Sequence, residues 1–170
     1  RYVSNFKDGA WDDGALIDDD MITISECACV LQYAQTVFEG LKAYTTEDGR
    51  VVCFRPDLNA SRLADSASRL EMPVFPEDRF VDAMVEANID YVPPYGSGAT
   101  LYIRPYMFGS DAIIGVNPAN EYQFRVFTTP VGPYFKGGAK PITIRVSDFD
   151  RAAPHGTGHI KAGLNYAMSL

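Results

Sequence analysis

Apolar and polar positions change rhythm several times along the chain, and each change predicts an element. The opening RYVSNFKDGAWDDG reads as a strand followed by a turn. From Gly40, GLKAYTTEDGRVVCFRP carries a strand into a turn at Glu47-Asp48-Gly49 and out again through Val51 and Phe54, which is the signature of a hairpin. Pro56 then suits the first turn of a helix, and Leu58, Leu63, Ala67 and Leu70 recur at helical spacing until Met72-Pro73 ends it. A second helix is expected over residues 76–91, with Phe80, Met84 and Ala87 on one face and Pro93-Pro94 as its stop.

Two longer runs, ATLYIRPYMFG and EYQFRVFTTPV, are rich in aromatic and β-branched residues and read as strands, with residues 109–120 looping between them. The pattern up to Val131 predicts an α+β unit over residues 1–132. GPYFKGGAKP is then a connector rich in glycine and proline, placed at 133–141. PITIRVSDF alternates cleanly, with Ile142, Ile144 and Val146 on one side, so a new strand is expected to open a second domain over 142–170. The chain begins inside a strand and stops as an apolar pattern is being established, which leads us to expect further sequence at both ends. No internal repeat breaks this order.

Composition narrows the function. A chain of 170 residues with 46% apolar residues can bury one good core, and its 12% aromatic share is enough to wall a ligand pocket as well. No apolar run approaches the ~18 residues of a membrane span. The net charge of −7 argues against nucleic acid as a partner, because binding to a polyanion calls for a basic face. Cys27, Cys29 and Cys53 are odd in number and lack a C-x-x-C spacing, so a reducing, cytoplasmic compartment is expected, with the thiols as small apolar fillers.

Candidate chemistry concentrates in GTGHIKAGLNYAMSL, where one lysine stands among small residues. A phosphate-binding P-loop fails there, since Lys161 follows Ile160 and precedes Ala162. The dinucleotide pattern fails too, because Lys161 occupies its last glycine position. His155 and His159 are four apart, but Gly156 and Gly158 disfavour the helix that would aim both at one ion, so no metal is expected. What survives is a lysine that flexible backbone lets a carbonyl compound approach, the setting of a nucleophilic amine. Spacing alone leaves an ordinary surface lysine open.

The segment GTGHIKAGLNYA closely resembles the cofactor-lysine segment of the branched-chain amino acid aminotransferases, pyridoxal-phosphate enzymes of fold type IV. YAQTVFEGLKAY, FRPDLNASRL, LYIRPYMFG and GPYF resemble further motifs of that family in the family's order, so the resemblance covers nearly the whole chain. It implies an α+β fold: a small N-terminal domain of mixed sheet and helices, plus the start of a larger C-terminal cofactor-binding domain. The implied reaction is transfer of the amino group of leucine, isoleucine or valine to 2-oxoglutarate with pyridoxal 5'-phosphate as cofactor, in a homodimer when the chain is full length. A D-amino acid aminotransferase or an aminodeoxychorismate lyase of the same fold, or a non-enzymatic interaction domain, is the alternative.

The resemblance also assigns residues. Lys161 would bind the cofactor as a Schiff base and shuttle the substrate proton; Tyr166 would lie near the ring hydroxyl, and Arg62 on the phosphate. Periodicity alone does not choose Arg62 over Arg55 or Arg69. Tyr33, Phe38 and Tyr134 would wall the substrate, Tyr102 and Arg104 would hold the side-chain carboxylate of glutamate, and Gly40 would leave room beside it. The loop at Gly115 and Val116 would reach a partner subunit's site, and the connector with Gly137 and Gly138 would close over substrate. Lys42 stands where some relatives have arginine, which leaves the subgroup open. The family's carboxylate on the pyridine nitrogen lies beyond Leu170, so these residues alone are expected to be inactive.

Overall fold

The computed structural model describes residues 1–86, 89–135, 137, 138 and 140–170; Ala87, expected on a helix face, lies outside the described residues. Strand β1 (Tyr2–Lys7) turns at Asp8-Gly9 into β2 (Ala10–Trp11), and β3 (Ala15–Leu16) also lies along β1. A short helix α1 (Cys29–Tyr33) precedes β4 (Thr36–Phe38), β5 (Leu41–Thr45) and β6 (Val51–Cys53). Helices α2 (Pro56–Arg69) and α3 (Glu77–Glu86) follow, then the long strands β7 (Thr100–Gly109) and β8 (Tyr122–Val131), and a single helical turn α4 (Leu164–Ala167). The sheet order is β2-β1-β8-β7-β5-β6, with β4 added along β7. Every described pairing is antiparallel, so the expected mixed sheet resolves into an antiparallel one.

The hairpin forms as its turn residues dictate. Thr46 N–H donates to Arg50 O at 2.8 Å, and Gly49 supplies the positive φ of +80° that the reversal requires. Its return strand stops at Cys53 and leaves Phe54 in solvent. Pro56 occupies the first turn of α2, where its missing N–H costs nothing, with Asp57 in the first turn and Arg69 in the last, each on the side the helix dipole favours.

The buried stripe of α2 is Ala60, Leu63, Ser66 and Ala67, so the expectation for Leu58 is corrected: it is 55% exposed, roughly 140° around the axis from Leu63. α3 buries Phe80, Ala83 and Met84, and Ile89–Tyr91 is a 3-10 turn, so the expected second helix does not run to residue 91 as an α-helix. Between helices and sheet, Phe124 stacks on Phe75 at 3.8 Å between centroids, with Trp11 edge-on to Phe75 at 5.0 Å.

One predicted strand does not form. Residues 142–146 pair with no described segment, and Ile142, Ile144 and Val146 stand in solvent. The alternation is real, but a strand exists only when a neighbour accepts its backbone hydrogen bonds. Among the described residues no helix is long and apolar enough to cross a membrane.

Candidate active site

The last segment returns to the sheet at one point. Val37 of β4 and Ala162 form an isolated antiparallel bridge, and Phe38 N–H donates to Lys161 O at 3.1 Å. From the other side, Lys161 N–H donates to Ser66 Oγ at 3.0 Å, and that hydroxyl donates in turn to Arg62 O at 2.8 Å. Ser66 is fully buried, so both bonds replace solvent that it cannot reach. The lysine backbone is thereby clamped between β4 and α2.

Below the clamp, the buried Asn165 holds the loop's curvature. Its amide donates to Thr157 O at 2.7 Å and Ile160 O at 3.0 Å and accepts from Thr157 Oγ1 at 2.9 Å. The Thr157 and Ile160 carbonyls thus get from one side chain the satisfaction that a helix or ladder would give.

With its backbone fixed, Lys161 extends along an aromatic wall. Its Nζ lies 2.9 Å from Tyr166 Oη and 4.6 Å from the centroid of Phe38, whose ring is 5.0 Å from that of Tyr166. Arg104 meets the same Phe38 ring at 4.6 Å and donates through Nε and Nη2 to Tyr102 Oη at 3.2 and 2.6 Å. Tyr102 and Arg104 are two apart on β7 and so share a face. Gly40 makes room for that phenol: a Cβ there would collide with Tyr102 Oη and stand 3.2 Å from its Cζ.

Behind the wall sits Glu39, its side chain 0% exposed, with Arg62 forked onto it at 2.7 and 2.8 Å. Asn59 Nδ2 donates to the same carboxylate at 2.7 Å. Hydrogen bonding to Glu39 pushes the Arg62 guanidinium above its ordinary pKa against the pull of burial, and Tyr166 is close enough to act on it electrostatically. A primary amine, a phenol and the Arg104 guanidinium therefore meet around the Phe38 ring, and Arg62, paired with the inward-turned Glu39 carboxylate, stands near Tyr166. Such a site suits an anionic ligand carrying a carbonyl.

Lys161, Tyr166, Phe38, Gly40, Tyr102, Arg104 and Arg62 are thus gathered into one place. Tyr33 and Val116 lie together elsewhere, lining a depression of about 280 Å³ that Leu164 and Arg69 also border. Tyr134 is 88% exposed in the connector, in contact with Phe135. Ser66, Glu39, Asn59 and Asn165 were missed from sequence. A serine four residues after Arg62 on an apolar stripe, and a glutamate inside TVFEGL, are the two signals that were available. No group of three metal-binding side chains occurs among the described residues.

The fold matches about half of the branched-chain aminotransferase fold. The crystal structure of branched-chain amino acid aminotransferase from Escherichia coli matches 99% of this chain with a TM-score of 0.72 and 29% identity, using 53% of its own length. A second branched-chain aminotransferase, solved in complex with N-(5'-phosphopyridoxyl)-L-glutamate, matches 99% of the chain and 53% of its own at a TM-score of 0.65 and 26% identity. No family model matches the chain. Sequence takes the assignment further: the branched-chain-amino-acid aminotransferase of Haemophilus influenzae is 50% identical over all of this chain and 50% of its own length. The chain is homologous along its whole length to branched-chain amino acid aminotransferases, and it spans about half the length of the curated relatives it matches.

Proposed function

We propose that this chain supplies the lysine-bearing half of the active site of a pyridoxal-phosphate-dependent enzyme that moves the amino group of leucine, isoleucine or valine to 2-oxoglutarate. The observation that carries the reading is Lys161 Nζ, 2.9 Å from Tyr166 Oη on a backbone fixed from two sides. The donor set fits the cofactor: an amine for its aldehyde, a phenol for its ring oxygen, and a guanidinium for its phosphate. Bound there, pyridoxal phosphate supplies the carbonyl that takes up the amino group and the conjugated ring that accepts electrons from the α-carbon.

The chain's own residues do the rest. Lys161 would anchor the cofactor through its amine and, when that amine is free, would hold the proton in transit at Nζ. Tyr166 donates a hydrogen bond toward the ring oxygen. Arg62 grips the phosphate. Phe38 gives an aliphatic side chain an apolar face, while Arg104, oriented by Tyr102, gives the second carboxylate of glutamate a cation, so one site accepts both substrates. Tyr33, Val116 and Tyr134 join this pocket only with the remainder of a homodimeric, cytoplasmic enzyme, into which the Val116 loop reaches from the partner.

The test is covalent trapping in the full-length protein. Borohydride reduction with pyridoxal phosphate, followed by peptide mapping, is expected to mark Lys161 and to mark nothing in Lys161→Ala. A modified lysine elsewhere would overturn the assignment.

A further inference from the structure

Glu39 needs an explanation that the reaction does not provide, because the partners of its fully buried carboxylate are Arg62, Asn59 and the Gly40 backbone and not the Lys161 amine. Burying a carboxylate is unfavourable unless donors replace the lost water, and here one donor meets Oε1 and three meet Oε2. Arg62 Nε and Nη2 reach it at 2.7 and 2.8 Å, Asn59 Nδ2 at 2.7 Å, and Gly40 N–H at 3.3 Å. Its backbone is pinned as well: Glu39 N–H donates to Pro105 O of β7 at 2.7 Å.

The fork differs from an ordinary surface ion pair in its asymmetry. The glutamate side chain is 0% exposed and the arginine 54% exposed, so one partner is fixed in the wall and the other projects from it. Two parallel bonds along the Nε–Nη2 edge fix the plane of the guanidinium, leaving Nη1 and the second Nη2 hydrogen to face outward.

We infer that Glu39 is the positioning residue of the phosphate grip, presenting the outer edge of Arg62 in one orientation before the anion arrives. The inference rests on the phosphate role proposed for Arg62. Its consequence is selective: loss of Glu39 weakens ligands that carry the phosphate and spares those that do not.

The test is equilibrium binding to the full-length apoprotein, comparing pyridoxal 5'-phosphate with pyridoxal by absorbance. Wild type is expected to prefer the phosphate ester. Glu39→Gln, which leaves a donor facing Nη2, is expected to lose about ten-fold in affinity for the ester, with pyridoxal unchanged within about two-fold. Combined with Arg62→Lys, it is expected to add little, since both changes remove one grip. Equal losses for both ligands, or an unchanged preference, overturn the inference and leave the proposed function standing. A wild type with no preference overturns the role of Arg62 and this inference with it. Should Glu39→Gln not fold, Glu39→Asp keeps the charge but shortens the arm, and the same selective loss decides the matter.

Discussion

Two regions of the molecule treat their polar backbone in opposite ways. From Tyr2 to Val131 nearly all of the sheet is laddered and α2 and α3 cover its apolar face, whereas residues 140–156 form no ladder and leave Ile142, Ile144 and Val146 in solvent. The site lies on the seam between them. Lys161 follows the loose region in sequence but is held by the tied one, through Ser66 and the bridge of Val37 with Ala162. Precision at the lysine is therefore partly borrowed: the wall places its backbone, and Asn165 keeps the curvature of the loop that carries it.

The contrast is broken most directly at its two extremes. Phe124 is fully buried and stacked on Phe75, so Phe124→Ala is expected to lower stability by about 3–5 kcal/mol. Phe149 is exposed, and Phe149→Ala is expected to stay within about 0.5 kcal/mol. Denaturant unfolding of the full-length protein measures both. A large cost at Phe149 would show that the second region is packed after all, and the comparison would lose its basis.

A smaller effect sharpens the seam itself. Ser66→Ala leaves the Lys161 N–H without its acceptor in a buried place, a cost of about 1–3 kcal/mol. Because that bond locates the lysine, covalent capture of pyridoxal phosphate by Lys161 is expected to slow as well. Ser147→Ala in the loose region is the control, and equal capture rates in the two variants would mean that β4 alone places the amine.

Legibility in the sequence followed the same division. The hairpin, α2, β7 and β8 were readable because turn residues, a proline at the helix start and aromatic runs are local causes with local effects. Residues 142–146 misled because alternation records a face and not the presence of a neighbour. Lys161 stood out locally as a lysine among small residues, but its role, that of Arg104 and the choice of Arg62 over Arg55 or Arg69 came only through family resemblance. Glu39 and Ser66 were hidden for a further reason. Glu39 acts through a partner 23 positions further on in α2, and Ser66 through one 95 positions away in the last loop, and no periodicity encodes a partner at such distance.

Acid offers the mildest probe, aimed at the first hairpin of the tied region. Burial pushes the Asp12 carboxyl upward, but hydrogen bonds from the Asn5 amide and backbone, from Ser4 and from Gly14 N–H outweigh it and hold the group below the usual aspartate pKa. Asp12 O also accepts from Arg79 Nη2 at 2.6 Å, which links α3 to that hairpin. A carboxyl depressed in the folded state contributes stability that is fully present above the unfolded value of about 4, and it is lost as pH falls through the lower folded value. The stability gap between wild type and Asp12→Asn is therefore expected to be fully open above the unfolded value of about 4 and to narrow progressively on acidification below it. Thermal unfolding of both proteins across that range measures it. Curves that stay parallel would mean that Asp12 serves the hairpin through its shape and not its charge, and that this corner of the tied region is held by packing and neutral hydrogen bonds alone.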